Sequence, residues 1–299
     1  MEKNLARQST GVAGLDELLG GGLLPGTLTV VVGSTGIGKT QLGVQFAGAG
    51  DQETQQRGIL FDMCARGDSQ SHQDYARRIC DWDLQNADLS RATDFENYFD
   101  PARCHGHYLR IFDYQGRRVT RDELDFYEWN EWQADLNTRL ASAISFFYGS
   151  FLQGVTRVVV DGIEPVDRPA DSIQFHLFEY IYHQILRKDP MWVARDLFRQ
   201  RFRQFAVQAE QHVYDPSRIG CQLLCTSHET MLEDLIARPL HQGDVLSNAN
   251  TLIYLGKVQD GNRMRRAIYI PKHRGSACSE EIVPYTIDEH GLQIASSPL

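Results

Sequence analysis

The stretch TLTVVVGSTGIGKT (Thr27–Thr40) decides the fold. Its first part is a short run of apolar and β-branched residues, which is typical of a buried strand. It ends in GSTGIGKT, which matches the phosphate-binding pattern G-x-x-x-x-G-K-[ST]. The residues that follow place Leu42, Phe46 and Ala49 at helical spacing. A strand, a glycine-rich loop and a helix in this order predict a P-loop that binds a nucleoside triphosphate.

The residue types of this loop fit phosphate binding. Its glycines let the backbone wrap closely around phosphates, and the amino terminus of the following helix adds a partial positive charge. Lys39 is predicted to neutralise the β- and γ-phosphates, and the Thr40 hydroxyl is predicted to ligate Mg²⁺. We therefore predict ATP and Mg²⁺ as cofactors, and the predicted nucleotide-binding residues are Gly33, Ser34, Thr35, Gly36, Ile37, Gly38, Lys39, Thr40 and Gln41.

A second motif agrees with the first. Thr156–Asp161 reads TRVVVD, an apolar run that ends in an aspartate, as in the Walker B pattern. A buried parallel strand delivers its last side chain to the carboxyl edge of the sheet, where α/β proteins bind ligands. Asp161 is therefore predicted to join Thr40 in the magnesium site.

The segments around these motifs resemble a known family. The run STGVAGLDELLGGGLLPGTLTVVVGSTGIGKT (Ser9–Thr40) resembles the opening of RecA-superfamily domains of the KaiC type. DGNRMRRAIYIPKHRGS (Asp260–Ser276) and EIVPYTIDEHGLQI (Glu281–Ile294) are similar to the end of such domains. The resemblance implies a RecA-like α/β fold, with a mostly parallel twisted sheet flanked by helices and antiparallel strands at the carboxyl-terminal edge. It covers about Ser9–Asp62, Arg157–Asp161 and Ile219–Ile294.

The resemblance also implies an oligomer. KaiC-like domains carry a K-x-R-G motif at the end of a strand, whose Lys and Arg reach across a subunit interface to the neighbour's γ-phosphate. Lys272 and Arg274 match this motif. They are therefore predicted to act in catalysis from a neighbouring copy, in a hexameric ring or a filament.

The same family pattern breaks at the residue expected to orient the attacking water. The superfamily places a glutamate just past the second strand, but here that stretch reads FDMCA (Phe61–Ala65), with Cys64 where the glutamate is expected. A thiol has neither the fixed charge nor the geometry of a carboxylate at neutral pH. Three carboxylates are alternatives: Asp62 on the same strand, Glu164 after the Walker B strand, and Glu229 after Thr226-Ser227-His228. We expect slow hydrolysis, as in a weak ATPase.

Composition bounds the organisation of the chain. Its 299 residues fit one RecA/KaiC-like domain over 1–299, with an inserted lobe at about 81–132 that is rich in aromatic and acidic residues. Further expected strands are 58–63, 108–114, 221–226, 251–255, 265–270 and 282–287, and further expected helices are 133–153, 172–188 and 191–212.

Two segments have both a structural and an interaction interpretation. The lobe at 81–132 is either a small local core with a solvated face or a docking surface for a protein partner. The helix expected at 191–212 places Arg195, Arg199 and Arg203 in one row, which is either a solvated face or a contact with a partner or a phosphate backbone.

Charge narrows the function classes. The formal net charge is −9, which removes the usual electrostatic argument for nucleic-acid binding, although DNA binding stays an alternative. The sequence has no apolar run of membrane-spanning length and no signal-like start, so a cytoplasmic location is expected. Three classes stay open: an ATPase that controls its own assembly or a partner, a DNA recombination or repair ATPase, and a hydrolysis-deficient scaffold.

Overall fold

The structure, a computed structural model, describes residues 6–50, 55–64, 71–88, 94–112, 125–164, 172–238 and 245–295. Its strands are β1 (Leu28–Gly33), β2 (Ile59–Asp62), β3 (Tyr108–Arg110), β4 (Arg157–Ile163), β5 (Gly220–Thr226), β6 (Thr251–Asp260), β7 (Arg263–His273), β8 (Val283–Asp288) and β9 (Gly291–Ile294). Its α-helices are α1 (Leu15–Leu18), α2 (Lys39–Ala49), α3 (His72–Cys80), α4 (Phe126–Leu152), α5 (Ile173–Ile181), α6 (Pro190–Phe198), α7 (Phe202–Gln211), α8 (Leu232–Ala237) and α9 (Val245–Asn248).

These strands form one sheet in the order β3-β2-β4-β5-β1-β6-β7-β8-β9. The six strands from β3 to β6 pair in parallel, whereas β7, β8 and β9 pair antiparallel. The predicted fold class is therefore confirmed. The phosphate-binding loop leaves the carboxyl end of β1, which lies between β5 and β6.

Both faces of the central strands β1, β2, β4 and β5 are buried, as in other α/β sheets that helices cover on each side. Alternate residues of a strand point to opposite faces, so Val30 and Val32 of β1 join one core and Val31 joins the other. The first core contains side chains of α4, α5, α6 and α7. The second contains side chains of α1, α2 and α3 together with Tyr285 and Leu292 of the carboxyl-terminal strands.

The segment ahead of β3 packs into the first core. Tyr98 is buried there, and its hydroxyl donates a 2.8 Å hydrogen bond to the carbonyl oxygen of Ser145 in α4. Phe95 and Phe99 lie against Phe198 of α6, with ring centroids 5.0 and 5.7 Å away. These contacts favour the local-core interpretation of the aromatic residues. Residues 89–93 and 113–124 of the predicted lobe lie outside the described part of the chain.

The prediction of a single helix over 191–212 is wrong. The structure has two α-helices, α6 and α7, separated by a 3-10 turn at Arg199–Arg201. Arg199 ends α6 with φ +46° and ψ −117°, a positive-φ backbone that does not continue a right-handed helix. Arg195, Arg199 and Arg203 therefore do not form a row on one continuous helix. The periodic apolar residues are still buried or half-buried, because Phe198 and Ala209 enter the first core and Phe202 and Phe205 pack against it.

Candidate functional site

The phosphate-binding loop lies at the carboxyl edge of the sheet. Gly33, the last residue of β1, pairs with Thr226 of β5 and Leu255 of β6. Gly38 precedes α2 with φ +116°, which a residue with a side chain rarely adopts. A Cβ at Gly38 would also lie 2.7 Å from Cδ1 of Ile287 in β8. The loop therefore needs glycine here both for its backbone angle and for close packing.

The carboxyl-terminal strands hold this loop in place. The Tyr285 hydroxyl of β8 donates a 2.7 Å hydrogen bond to the carbonyl oxygen of Ile37, which is itself buried. The buried Gln45 side chain of α2 exchanges two hydrogen bonds with the backbone of Leu292 in β9, at 2.8 and 3.0 Å. The shape of the loop is thus fixed by contacts with β8 and β9, far along the sequence. In contrast, Thr35 and Gly36 at the tip are exposed.

Lys39 is a buried cation at the base of the loop. Its Nζ donates 2.9 Å hydrogen bonds to the carbonyl oxygens of Gly33 and Ser34. Burial lowers the pKa of Lys39, and the nearby Asp161 carboxylate opposes that effect. An ammonium group that is held by neutral carbonyl oxygens gains much from an incoming phosphate, because opposite charges interact strongly where water is excluded.

Thr40 and Asp161 meet as the sequence predicts. The Thr40 hydroxyl donates a 2.8 Å hydrogen bond to Oδ2 of Asp161, so the two motifs touch across 121 residues of sequence. Asp161 is not the end of its strand, because β4 continues to Ile163 through a register irregularity. Gly162 follows with φ +99°, and its N–H donates to Oδ1 of Asp161 at 2.7 Å.

The residues present fit a magnesium nucleotide. Mg²⁺ prefers oxygen ligands, and it is bound in phosphate-transfer sites by few protein groups together with phosphates. The Thr40 hydroxyl and the Asp161 carboxylate supply such oxygens, and Lys39 supplies the cation for the phosphates. Burial raises the pKa of Asp161, but hydrogen bonds and charges from His72, Thr40 and Lys39 outweigh it, so the net pKa is lowered. The carboxylate is therefore ionised at neutral pH.

Asp62, a predicted water-positioning residue, is already heavily bonded. It ends β2 beside Asp161, with which it pairs in the sheet. Its Oδ1 accepts a 2.7 Å hydrogen bond from the backbone N–H of Cys64, and its Oδ2 accepts a short hydrogen bond from the Tyr108 hydroxyl. Both oxygens are thus used to fix the end of β2 and the neighbouring strand β3.

Cys64 lies among carboxylates. Burial raises the pKa of its thiol, and Asp161, Asp62 and Glu164 raise it further, so the thiol is neutral. Glu164 follows β4, and its backbone N–H donates to Oε1 of Gln174 at 3.1 Å. The Gln174 amide in turn donates to the carbonyl oxygens that follow Asp62 and Asp161, at 2.8 Å for Met63 and 2.6 Å for Gly162. Gln174 of α5 therefore ties the two strand ends together.

Three further predicted site residues, Glu229, Lys272 and Arg274, have contacts of their own. Glu229 follows β5 and faces Arg238, with Oε2 and Nη1 3.6 Å apart. Lys272 pairs with Leu252 of β6, which pairs with Val30 of β1, three residues before Gly33. Lys272 thus lies two strands away from β1, at a level about 10 Å from Gly33 along the strand direction, towards the amino end of β1. Its Nζ donates to the carbonyl oxygen of Ser247 at 2.6 Å, and Arg274 Nη2 lies 3.4 Å from the same oxygen.

Three residues of the site were missed by sequence reasoning: His72, Tyr108 and Gln174. His72 Nε2 lies 3.0 Å from Oδ2 of Asp161, and Tyr108 and Gln174 bind the strand ends as described. One local signal was present, because Ser71-x-x-Asp74 is a capping box that marks the start of α3. That signal locates the helix but does not show that its first residue reaches β4.

One comparison with known proteins matches the part of the chain that contains the phosphate-binding loop. Residues 8–101 match the family model described as the KaiC ATPase. That range includes the phosphate-binding loop, β1, α2, β2 and α3. No curated protein matches the sequence. None of the helices in the described residues combines the length and apolarity needed to span a membrane.

Proposed function

We propose that the chain is a KaiC-like P-loop ATPase of the RecA superfamily, as the match of residues 8–101 to that family model indicates, and that it binds Mg²⁺-ATP between copies of itself and hydrolyses it slowly to control assembly or a partner. The observation that carries the proposal is the 2.8 Å hydrogen bond between Thr40 and Asp161. It joins the two nucleotide-binding motifs at the edge of the sheet where Lys39 is buried.

The chain's own residues would divide the work. The glycine-rich loop would bind the phosphates with its backbone N–H groups, and Lys39 would neutralise the β- and γ-phosphates. Thr40 and Asp161 would hold Mg²⁺, which when bound neutralises charge that develops on the phosphate oxygens. Orientation of the attacking water is the weak step, because Cys64 is a neutral thiol and Asp62 is bonded to its neighbours.

Action of Lys272 and Arg274 on a neighbouring copy is supported by their place in the sheet. They lie near the amino end of β1, whereas the phosphate-binding loop follows its carboxyl end. A head-to-tail arrangement of copies would bring this end of β7 to the neighbour's nucleotide, and such an arrangement closes into a ring or continues as a filament. Protein partners at residues 81–132 or 191–212 stay proposals.

We expect Arg274→Ala to weaken ATP-dependent assembly while each copy still binds nucleotide. A charge-assisted hydrogen bond to the γ-phosphate contributes about 1.5–3 kcal/mol, so assembly should need roughly 10- to 150-fold more protein. Sedimentation velocity with and without Mg²⁺-ATP measures this shift. Arg263→Ala, at the opposite end of β7, is the matched control and should assemble as the wild type does. If both Arg274→Ala and Lys272→Ala assemble as the wild type does, these residues do not act on the nucleotide of a neighbouring copy.

We also expect Cys64→Glu to raise ATP turnover by about 10-fold or more, because a positioned base contributes strongly to hydrolysis. Burial and the carboxylates of Asp161, Asp62 and Glu164 raise the pKa of the Cys64 thiol, and we expect the same surroundings to raise the pKa of a glutamate there, so the gain should increase with pH. Phosphate release assays between pH 6 and 9 measure it, and Cys64→Gln is the uncharged control of the same size. Fast wild-type turnover that neither variant changes would show that another carboxylate orients the water.

The same phosphate release assay distinguishes the function classes when DNA is added. Turnover that DNA stimulates would favour the recombination class.

A further inference from the structure

A continuous set of polar contacts runs along the carboxyl edge of the sheet beside the nucleotide site. It begins at Thr40, whose hydroxyl donates to Oδ2 of Asp161. His72 Nε2 lies 3.0 Å from the same oxygen, and His72 Nδ1 lies 3.7 Å from Oδ2 of Asp62. Tyr108 completes the set through its hydrogen bond to Asp62. The functions assigned above use Thr40 and Asp161 but give His72 no role.

The imidazole of His72 is held where it is by its own surroundings. His72 is the first residue of α3, directly after the Ser71 cap, whose side chain and backbone exchange hydrogen bonds with Asp74. Its side chain is 10% exposed, and its ring packs on the ring of Tyr108 with centroids 5.3 Å apart. Since the start of α3 and the packing on β3 both fix the ring, its contact with β4 is a built feature of the fold.

This contact completes the bonding of Asp161. Oδ1 of Asp161 accepts from the N–H of Gly162, and Oδ2 meets both the Thr40 hydroxyl and Nε2 of His72. The Gly162 bond is local to β4 and restrains Oδ1 alone. Thr40 and His72 belong to other elements and both contact Oδ2, so together they fix the direction in which this oxygen faces. Groups that orient a metal ligand in this way commonly change metal affinity 10- to 100-fold when removed.

We propose that His72 is a positioning residue, which holds the Asp161 carboxylate against Thr40 and thereby sets the affinity for nucleotide in the presence of Mg²⁺. The inference rests on the proposed function, since it assumes that Thr40 and Asp161 bind magnesium. It goes further by assigning the start of α3 to the nucleotide site. It also predicts that the loss of His72 affects the magnesium-dependent part of binding and spares the contacts of the loop with the phosphates.

The test measures the affinity for a fluorescent ATP analogue in Mg²⁺ and in EDTA. His72→Ala should bind 10- to 100-fold more weakly than the wild type in Mg²⁺ and about equally in EDTA. His72→Gln, whose amide N–H can replace Nε2–H, should recover most of the loss. His176→Ala, which removes an exposed histidine of α5, is the control and should match the wild type in both buffers.

Each outcome separates the two proposals. If the wild type binds no nucleotide, or binds equally in Mg²⁺ and EDTA, the proposed function fails. If the wild type binds more tightly in Mg²⁺ than in EDTA, and His72→Ala has the same affinities as the wild type in both buffers, only the role of His72 is overturned. Equal losses in both buffers, with a lowered melting temperature, would also overturn it, because they indicate a purely structural role. Should His72→Ala not fold, the Mg²⁺ and EDTA affinities of His72→Gln and His72→Asn decide. The Asn side chain is too short to reach the Nε2 position, so equal affinities of these two variants would overturn the proposal.

Discussion

Lys39→Ala is expected to abolish most ATP binding. The Lys39 ammonium is buried and is held by the carbonyl oxygens of Gly33 and Ser34, at the point where phosphates would enter the loop. Loss of a charge-assisted contact of this kind costs on the order of 2–4 kcal/mol. The dissociation constant for ATP should therefore rise roughly 30- to 1,000-fold. Titration calorimetry or a fluorescent ATP analogue measures it.

A control variant separates binding from folding. Lys257→Ala removes a half-buried lysine of β6, two residues after Leu255, which pairs with Gly33. This variant should bind ATP as the wild type does. The melting temperature of Lys39→Ala without nucleotide shows whether the loop still folds. A folded Lys39→Ala protein with unchanged ATP affinity would show that the nucleotide does not bind at this loop.

The parts of the site that could be predicted from the sequence are those that short motifs of neighbouring residues define. The apolar run before Gly33, the spacing to Lys39 and Thr40, and the aspartate at the end of TRVVVD each need only a few neighbouring residues to be recognised. Parallel strands then bring their carboxyl ends to one edge of the sheet, so the meeting of Thr40 with Asp161 follows from the fold class.

The missed parts depend on contacts between distant segments. His72 reaches Asp161 across 89 residues of sequence, and Tyr285 reaches Ile37 across 248. Nothing in the residues next to His72 distinguishes it from a solvated histidine at a helix start. Asp62 likewise appears available in the sequence, but its oxygens accept hydrogen bonds from Cys64 and Tyr108. A local pattern therefore identifies the groups of the site but not which of them are already bonded.

The same limit explains the error at α6 and α7. Apolar residues at Phe198, Phe202, Phe205 and Ala209 keep helical spacing through the 3-10 turn, so periodicity does not reveal the break. Arg199 adopts a positive φ, which an arginine rarely does and which no sequence rule predicts. The break lets Phe198 and Phe205 stack with centroids 4.7 Å apart, against the rings of Phe95 and Tyr98.

Tyr98→Ala is expected to destabilise the whole domain by about 3–5 kcal/mol, as truncation of a large buried aromatic side chain does. Tyr98 is buried in the first core, where it packs against Tyr148 of α4 and Phe198 of α6 and bonds to the Ser145 carbonyl oxygen. Tyr98→Phe keeps the ring and loses only that hydrogen bond, so it should cost about 1 kcal/mol. Urea unfolding followed by circular dichroism measures both values.

The result decides whether the segment ahead of β3 folds with the rest of the sheet and its helices or as a separate lobe. Because Tyr98 shares its core with α4, α6 and β2, we expect one cooperative transition, shifted to lower urea with an unchanged slope. Tyr127→Ala, whose side chain is 81% exposed at the start of α4, is the control and should change stability by less than about 0.5 kcal/mol. The opposite result is an additional unfolding transition of Tyr98→Ala at low urea, absent from the wild type, while its main transition stays at the wild-type midpoint. That result would mean that this segment is an independent lobe whose aromatic residues do not stabilise the nucleotide site.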